Sequence, residues 1–148
     1  MKKIFLFIST VLLSISCSKN KQICHVPPPV LSLLINKESE TYKEFINSAG
    51  NLNENTVKMY KEVNTIKKNY PLALDNTYKK GYLRIFIPLD SKNDIYTGKT
   101  ETLYLQNSAK TYKIEVNGYM QNKGCGFVAY TNEIRVDGIK IEENYLAK

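Results

Sequence analysis

The feature that most restricts the fold of this chain is a strict alternation of apolar and polar side chains in its second half. In residues 81–89, GYLRIFIPL, aliphatic side chains alternate with Tyr82, Arg84 and Phe86. A period of two residues is that of a β-strand with one buried face, and Pro88 places this strand at a sheet edge or near its own end. Shorter predicted strands follow at residues 102–105, 112–116, 127–130 and 134–136.

Turn signals separate these predicted strands. Asp137-Gly138 stands between IRV and IKI and is typical of a two-residue hairpin turn, which needs positive φ angles. Asn117-Gly118 is a second candidate turn, unless the residues after it continue the same strand. Short strands with turns at intervals of about ten residues predict an all-β domain, mainly an antiparallel β-sandwich of immunoglobulin-like or transthyretin-like type.

The first half of the domain carries weaker patterns. Residues 30–35, VLSLLI, form an apolar run suited to a buried strand. Residues 41–49 place Tyr42 and Phe45 at helical spacing before Gly50, which is compatible with one short helix. In residues 57–74 the apolar side chains fit a strand period and a helix period almost equally, and we predict strand.

The N-terminal residues predict export. Lys2 and Lys3 precede an apolar run over residues 4–15, as in a secretory signal peptide. A run of about 12 residues covers roughly 18 Å as a helix, well short of the ~30 Å core of a bilayer. We therefore predict a cleaved signal helix over residues 1–16, a polar and proline-rich tether over residues 17–29, and a single β-sandwich domain over residues 30–148.

The end of the signal peptide resembles the lipobox of bacterial lipoproteins. Ser14, Ile15 and Ser16 precede Cys17, although Ser14 stands where the usual box has leucine. The resemblance implies cleavage before Cys17 and acylation of its thiol, so that acyl chains anchor the protein at about 0.8 kcal/mol per buried CH₂. An ordinary cleaved signal peptide with a cysteine beside it is the alternative.

Acylation of Cys17 would leave Cys24 and Cys125 as an even pair in an oxidising compartment. A disulfide between them would close a loop of about 100 residues, which the chain-entropy model values at roughly 4 to 5 kcal/mol. Two unpaired thiols are the alternative, because Cys24 lies on the tether.

Charge argues against nucleic-acid binding. The formal net charge of +7 falls to +5 when Lys2 and Lys3 are removed, and the positive charges are scattered along the chain. Arg84 and Arg135 are the only arginines, and lysine recognises planar base edges and phosphates poorly.

The residues that carry catalytic or metal chemistry are sparse. The one histidine, His25, lies on the tether without the rigid support that a hydrolase histidine needs. Together with Cys24 and Cys125 it would supply three ligands, whereas a structural zinc site needs four. Asp90 and Asp94 lie in LDSKND, which is typical of a turn. We predict no catalytic residue, no metal and no cofactor.

One candidate binding surface stands out. Tyr82, Phe86 and Tyr104 lie opposite the aliphatic faces of their strands, and they would form an aromatic patch for a protein or glycan partner if the two strands are neighbours. Ordinary cross-strand packing is the alternative.

Several segments together are similar to small uncharacterised lipoproteins of Bacteroidota. They are PPPVLSLLINKE, YLRIFIPL, TETLYLQNSAKTYKIEV, the bend GCG and IRVDGIKIE. The resemblance implies an exported, lipid-anchored β-sandwich and supplies no catalytic residue. Lys19 and Lys21 follow the cysteine without the acidic residues of surface-directed lipoproteins, which favours outer-membrane attachment facing the periplasm over surface display.

We therefore expect a non-enzymatic binding or structural module of the envelope. An accessory subunit of an outer-membrane complex, which would expose an apolar patch, is one alternative. A small hydrolase that uses carboxylates is another.

Overall fold

The computed structural model describes residues 27–148, and these residues form two antiparallel-dominated β-sheets with one helical turn. The predicted all-β class is confirmed, whereas the signal helix and tether residues 17–26 lie outside the described residues. The elements are β1 (Val30–Asn36), α1 (Glu40–Lys43), β2 (Lys58–Val63), β3 (Ile66–Tyr70), β4 (Ala73–Asp75), β5 (Tyr82–Pro88), β6 (Thr97–Gln106), β7 (Thr111–Asn122), β8 (Phe127–Val136), β9 (Ile139–Ile141) and β10 (Tyr145–Ala147).

The smaller sheet has the strand order β10-β1-β5-β4, and the larger sheet has the order β3-β2-β6-β7-β8-β9. All paired strands run antiparallel except β1 and β10, which are parallel. One hydrophobic core joins the inner faces of the two sheets. Leu33 and Ile85 enter it from the smaller sheet, and Leu103 and Ile114 enter it from the larger one, all of them fully buried. The alternation read from the sequence therefore points the aliphatic residues inward.

The short helix predicted near residues 41–49 is present as the single turn of α1. Ser39 caps α1, and its Oγ accepts a hydrogen bond from the backbone N–H of Tyr42 at 3.3 Å. The helix ends early because Asn47 Oδ1 accepts from the backbone N–H groups of Ala49 and Asn51, a local turn that competes with helical bonding.

Residues 57–74 are strand, as predicted, but they fold as a hairpin followed by a third short strand. Asn64 and Thr65 join β2 to β3 with φ angles of 50° and 68°. Both residues occupy the left-handed region, which makes this a two-residue turn of the type favoured between antiparallel strands. Threonine rarely adopts this conformation, so the sequence carried no strong turn signal here.

Of the two predicted turns, Asp137-Gly138 is confirmed. It joins β8 to β9 with φ angles of 51° and 82°. Asn117-Gly118 is not a turn, because β7 continues to Asn122 and its Tyr119 pairs with Tyr130 of β8. The chain reverses instead at GCG, where the backbone N–H of Lys123 donates to the carbonyl of Gly126 at 2.9 Å.

Candidate functional site

The residues of the predicted aromatic patch lie on different sheets. Tyr82 and Phe86 lie on the outer face of β5 in the smaller sheet, whereas Tyr104 lies on β6 in the larger one. The chain between β5 and β6 crosses from one sheet to the other, and its Ile95 is fully buried in the core. The condition for a single patch, that these strands be neighbours, is therefore not met.

Tyr104 takes part in ordinary cross-strand packing. Its ring stacks on that of Tyr60 of β2 with the ring centroids 5.3 Å apart. The Lys67 ammonium lies 4.1 Å from the centroid of the Tyr60 ring on the other strand of the hairpin. These contacts with Tyr104 and Lys67 leave Tyr60 7% exposed, so little aromatic surface is open to a partner here.

Tyr82 and Phe86 instead flank an arginine on the outer face of the smaller sheet. The Arg84 guanidinium carbon lies 4.2 Å from the ring centroid of Tyr78 and 4.9 Å from that of Phe86. Phe86 occupies the next outward position on the same strand, and Tyr78 belongs to the loop between β4 and β5. The guanidinium is therefore held against two rings at cation–π distance.

A second pair of rings extends this surface. Tyr82 contacts Tyr145 of β10 with the ring centroids 5.1 Å apart, and the Lys79 ammonium lies within 5.3 Å of both centroids while donating a hydrogen bond to the Tyr145 hydroxyl. We call this surface the aromatic face, and its members are Tyr78, Tyr82, Arg84, Phe86 and Tyr145. Tyr78 is 59% exposed, and the other members are half-buried.

The electrostatics of the aromatic face centre on Arg84 and Asp75. Arg84 Nη1 lies 3.8 Å from Asp75 Oδ2, which is ion-pair contact without a short hydrogen bond. The other oxygen of Asp75 accepts from the hydroxyl and backbone N–H of Thr77, and these hydrogen bonds lower the pKa of Asp75. Among residues 27–148, Arg84 Nε is the one buried side-chain nitrogen or oxygen without a hydrogen-bond partner.

A groove adjoins the aromatic face across β4. Two depressions of about 320 and 590 Å³ share Leu52, Glu54 and Leu72, so they form one groove between the edge strands of the two sheets. Apolar residues and five asparagines line it, and the asparagines are Asn47, Asn51, Asn53, Asn55 and Asn69. We call it the asparagine groove. An asparagine amide carries both donors and an acceptor, the chemistry that hydroxyl-rich ligands need, although the Asn47 oxygen already accepts from the backbone N–H groups of Ala49 and Asn51.

The carboxylates considered for a hydrolase take part in structural contacts. Asp94 accepts hydrogen bonds from the Tyr70 hydroxyl at 2.8 Å and from Lys68 Nζ at 2.9 Å. Partial burial raises the pKa of Asp94, but these two hydrogen bonds outweigh it and leave the pKa lowered. Asp90 closes its own turn by accepting from the backbone N–H of Lys92. A general acid needs a raised pKa, so Asp94 suits a permanent carboxylate.

A partly buried ion pair supports the same region. Lys61 Nζ donates to Glu101 Oε2 at 2.6 Å and to the Asp94 carbonyl at 2.9 Å. Burial raises the pKa of Glu101, and the hydrogen bonds from Lys61 and Thr97 lower it further than burial raises it. In the same region the pKa of Tyr70 is raised by burial and by the hydrogen bond that its hydroxyl donates to Asp94.

Three residues that the sequence analysis singled out, Cys17, Cys24 and His25, lie outside the described residues. Cys125 lies in the β7–β8 loop and is disulfide-bonded, so its pairing with Cys24 stays a prediction. Within residues 27–148 no cluster of three or more histidine, cysteine or acidic side chains has the geometry to hold a metal ion. In the same part of the chain no helix has the length and apolarity to cross a membrane.

Sequence reasoning placed Tyr82 and Phe86 on an outer face but missed Arg84 as the centre of the site. Its signal was present, since Arg84 has an aromatic residue two positions away on each side, and such residues share one face of a strand. Comparisons with protein-family models, curated proteins and solved structures find no match to this chain.

Proposed function

We propose that this chain is a lipid-anchored lipoprotein of a bacterial cell envelope, and that its domain is a non-enzymatic module that binds a partner at the aromatic face. The observation that carries the proposal is Arg84, whose guanidinium carbon lies 4.2 Å from the Tyr78 ring centroid and 4.9 Å from that of Phe86 on the outer face of a sheet. The proposed attachment is to the outer membrane, facing the periplasm, with surface display as the alternative.

The composition of the aromatic face supports a binding role. Tyrosine, phenylalanine and arginine are enriched in protein interfaces, and arginine and tyrosine are frequent among the residues that contribute most of the binding energy. Tyr78 and Tyr82 expose ring surface beside Arg84, whose position is fixed by the sheet and by the flanking rings. A preorganised surface of this kind loses little side-chain entropy on binding.

The electrostatics indicate what the partner offers. Asp75 lies at ion-pair distance from Arg84 but makes its short hydrogen bonds to Thr77. A carboxylate or carbonyl oxygen from a partner can therefore accept from Arg84 without first breaking a tight internal pair. The expected partner presents apolar surface beside such an oxygen.

Site-specific photocrosslinking in the native envelope tests the binding face. A photoreactive amino acid at Tyr78 should give a discrete protein adduct, and one at Ile139, which is 72% exposed on the larger sheet, should not. Arg84→Lys should reduce the yield of the Tyr78 adduct, because lysine lacks the planar guanidinium that contacts the Tyr78 and Phe86 rings. Equal labelling from both positions would refute the aromatic face as the binding surface.

Fractionation of Cys17→Ala tests the anchor separately. The variant lacks the thiol that would be acylated, so it should appear in the soluble periplasmic or secreted fraction. The unsubstituted chain should remain with the membranes and should need detergent for release. Persistent membrane association of the variant would show that another element attaches the protein.

The asparagine groove favours a glycan as a second candidate ligand. Asn69 lines it beside Tyr70, and the other four asparagines line it together with Leu72 and Leu74, so it combines hydrogen-bonding groups with apolar surface. Screening against envelope glycans, with Asn55→Ala and Asn69→Ala as variants of exposed lining residues, tests this candidate. Glycan binding that both variants leave unchanged would exclude the groove as the site.

A further inference from the structure

The start of the described chain lies against the β7–β8 hairpin. Pro27, Pro28, Pro29 and Val30 line a cleft of about 300 Å³ together with residues 127–129 of β8. The tether therefore enters the domain beside the loop of residues 123–126, in which Cys125 is disulfide-bonded. We call residues 119–130, the end of this hairpin, the hairpin tip.

The length of the tether limits how far the hairpin tip can lie from an anchored Cys17. Nine residues lie between Cys17 and Pro27, and the ten Cα–Cα steps span at most about 35 Å when fully extended. If Cys17 is acylated, Cys24 is the cysteine left to pair with Cys125, and the free tether shortens to seven Cα–Cα steps or roughly 24 Å. That reach is shorter than β8, whose 10 residues span roughly 33 Å, so the anchor would keep Cys125 within about 24 Å of the membrane.

The side chains of the hairpin tip suit a membrane interface. Phe127 and Tyr119 are among the large hydrophobic residues that the described chain exposes, at 36% and 41%. Tyr119 stacks on Tyr130 with the centroids 5.2 Å apart, and Lys123 Nζ lies 5.7 Å from the Tyr130 ring. Aromatic rings with a lysine beside them are typical of protein surfaces at the level of lipid headgroups.

The charge of this end of the molecule matches a lipid surface as well. Residues 17–30 and 119–130 contain no aspartate and no glutamate, although the chain has 14 acidic residues. They do contain Lys19, Lys21 and Lys123. Each basic residue near a membrane is attracted to anionic headgroups by about 1 kcal/mol. Asp90 opposes this attraction, because it follows Leu89, whose backbone N–H donates to the Pro29 carbonyl at the tether entry.

We propose that the hairpin tip docks end-on against the lipid surface that holds the anchor, with Phe127 at the level of the headgroups. Tyr119 lies on the other face of the hairpin and three residue pairs, about 10 Å, farther from its end. This inference rests on the proposed lipid anchor and adds an orientation to it. Docking then fixes the orientation of the domain, so that β7 and β8 extend away from the membrane.

Tryptophan fluorescence provides the test, because the chain contains no tryptophan. The full, acylated chain carrying Phe127→Trp or Tyr119→Trp is reconstituted into phosphatidylethanolamine and phosphatidylglycerol vesicles, with and without brominated acyl chains. The matched control is Ile139→Trp, since Ile139 follows the opposite end of β8, about 30 Å from Phe127 along the strand.

Brominated lipid should lower the emission of Phe127→Trp about twofold, as expected for a ring at the interface, should lower that of Tyr119→Trp by less because it lies farther from the end of the hairpin, and should leave Ile139→Trp unchanged. Adding Lys123→Glu to either tip variant should reduce that quenching. Vesicle-bound protein with equal quenching at the tip and at residue 139 would overturn the docking while keeping the anchor. Failure of the chain to float with the vesicles would overturn the anchor, and the docking with it.

Discussion

The packing around Gly118 leads to a quantitative prediction. Gly118 lies within β7 where the register with β8 shifts, and its φ angle is not in the left-handed region. A Cβ atom placed there would lie 2.5 Å from the Tyr130 carbonyl oxygen and 2.6 Å from Cδ1 of Tyr96. Because a backbone oxygen in a paired strand cannot move away cheaply, Gly118→Ala must distort the sheet.

Two opposing effects decide whether Gly118→Ala raises or lowers the free energy of unfolding. Replacing glycine by alanine within a strand normally stabilises by about 0.5 to 1 kcal/mol through reduced entropy of the unfolded chain. Forcing extra volume into a packed interior costs typically about 1 to 3 kcal/mol, and the contact with a backbone atom puts this site at the upper end. We expect Gly118→Ala to lower the free energy of unfolding by about 2 kcal/mol.

Urea unfolding followed by circular dichroism measures the effect. A loss of about 2 kcal/mol moves the midpoint down by roughly 1 M at the slopes usual for domains of this size. Gly50 provides the control, since it has a φ angle of 76° and no neighbouring atom within 4 Å of an added Cβ.

The two sites should rank alanine and asparagine in opposite order. Asparagine tolerates the left-handed region better than alanine, so it should be the milder change at Gly50. At Gly118 the larger asparagine should be the more damaging. A Gly118→Ala variant as stable as the unsubstituted chain would refute the close approach of β7 to Tyr96 and Tyr130.

Two further predictions concern pH and the disulfide. The pKa values of Asp94 and Glu101 are lowered in the folded state, so their stabilising contribution is complete above the unfolded pKa of about 4 and is lost as the pH falls below it. Urea unfolding at pH 7 and pH 3 should show this loss, and Asp94→Asn should reduce the difference; an unchanged difference would exclude Asp94 as a contributor. Peptide mapping without reduction should find Cys24 joined to Cys125, and reduction should lower the free energy of unfolding by up to about 4 to 5 kcal/mol; a Cys17–Cys125 peptide would contradict the pairing.

The strands could be predicted because apolar and polar side chains alternate along them. The order of the strands in the sheets could not be predicted, because this alternation does not indicate which strands pair with each other. Residues 81–89 indicated which side of β5 is buried, and the buried side is correct. Whether β6 continues the same sheet depends on the chain between β5 and β6, where Leu89, Ile95 and Tyr96 are all buried. Those residues lie in an irregular segment whose apolar side chains follow neither a strand nor a helix period, so the sequence did not indicate that the chain crosses to the other sheet there.

Long-range pairing also hid much of the candidate site. Tyr145 belongs to a three-residue strand that pairs in parallel with β1, and a strand so short shows no alternation. Tyr78 lies in the β4–β5 loop, where its approach to Arg84 depends on the Asp75 turn. The outward positions of Tyr82 and Phe86 followed from sequence, whereas the rings that complete the surface were brought there by tertiary packing.

The pairing of β1 with β5 places the tether entry at one end of these strands and Tyr82 of the aromatic face at the other. This arrangement fits a module that is anchored at one end and binds at the other. Val30, where the tether enters, pairs with Pro88, whereas Asn36 at the other end of β1 pairs with Tyr82. Six residues along a strand correspond to about 20 Å, so Tyr82 lies that far from the tether end. A hairpin tip docked on lipid would therefore direct the Tyr82 end of the aromatic face away from the membrane. Tyr78 contacts Arg84, which pairs with Leu34, four residues or about 13 Å along β1 from Val30. If photocrosslinking at Tyr78 captures an integral membrane protein, the captured site should therefore lie at least this far from the bilayer, because a partner flush with the headgroups would require the molecule to be inverted.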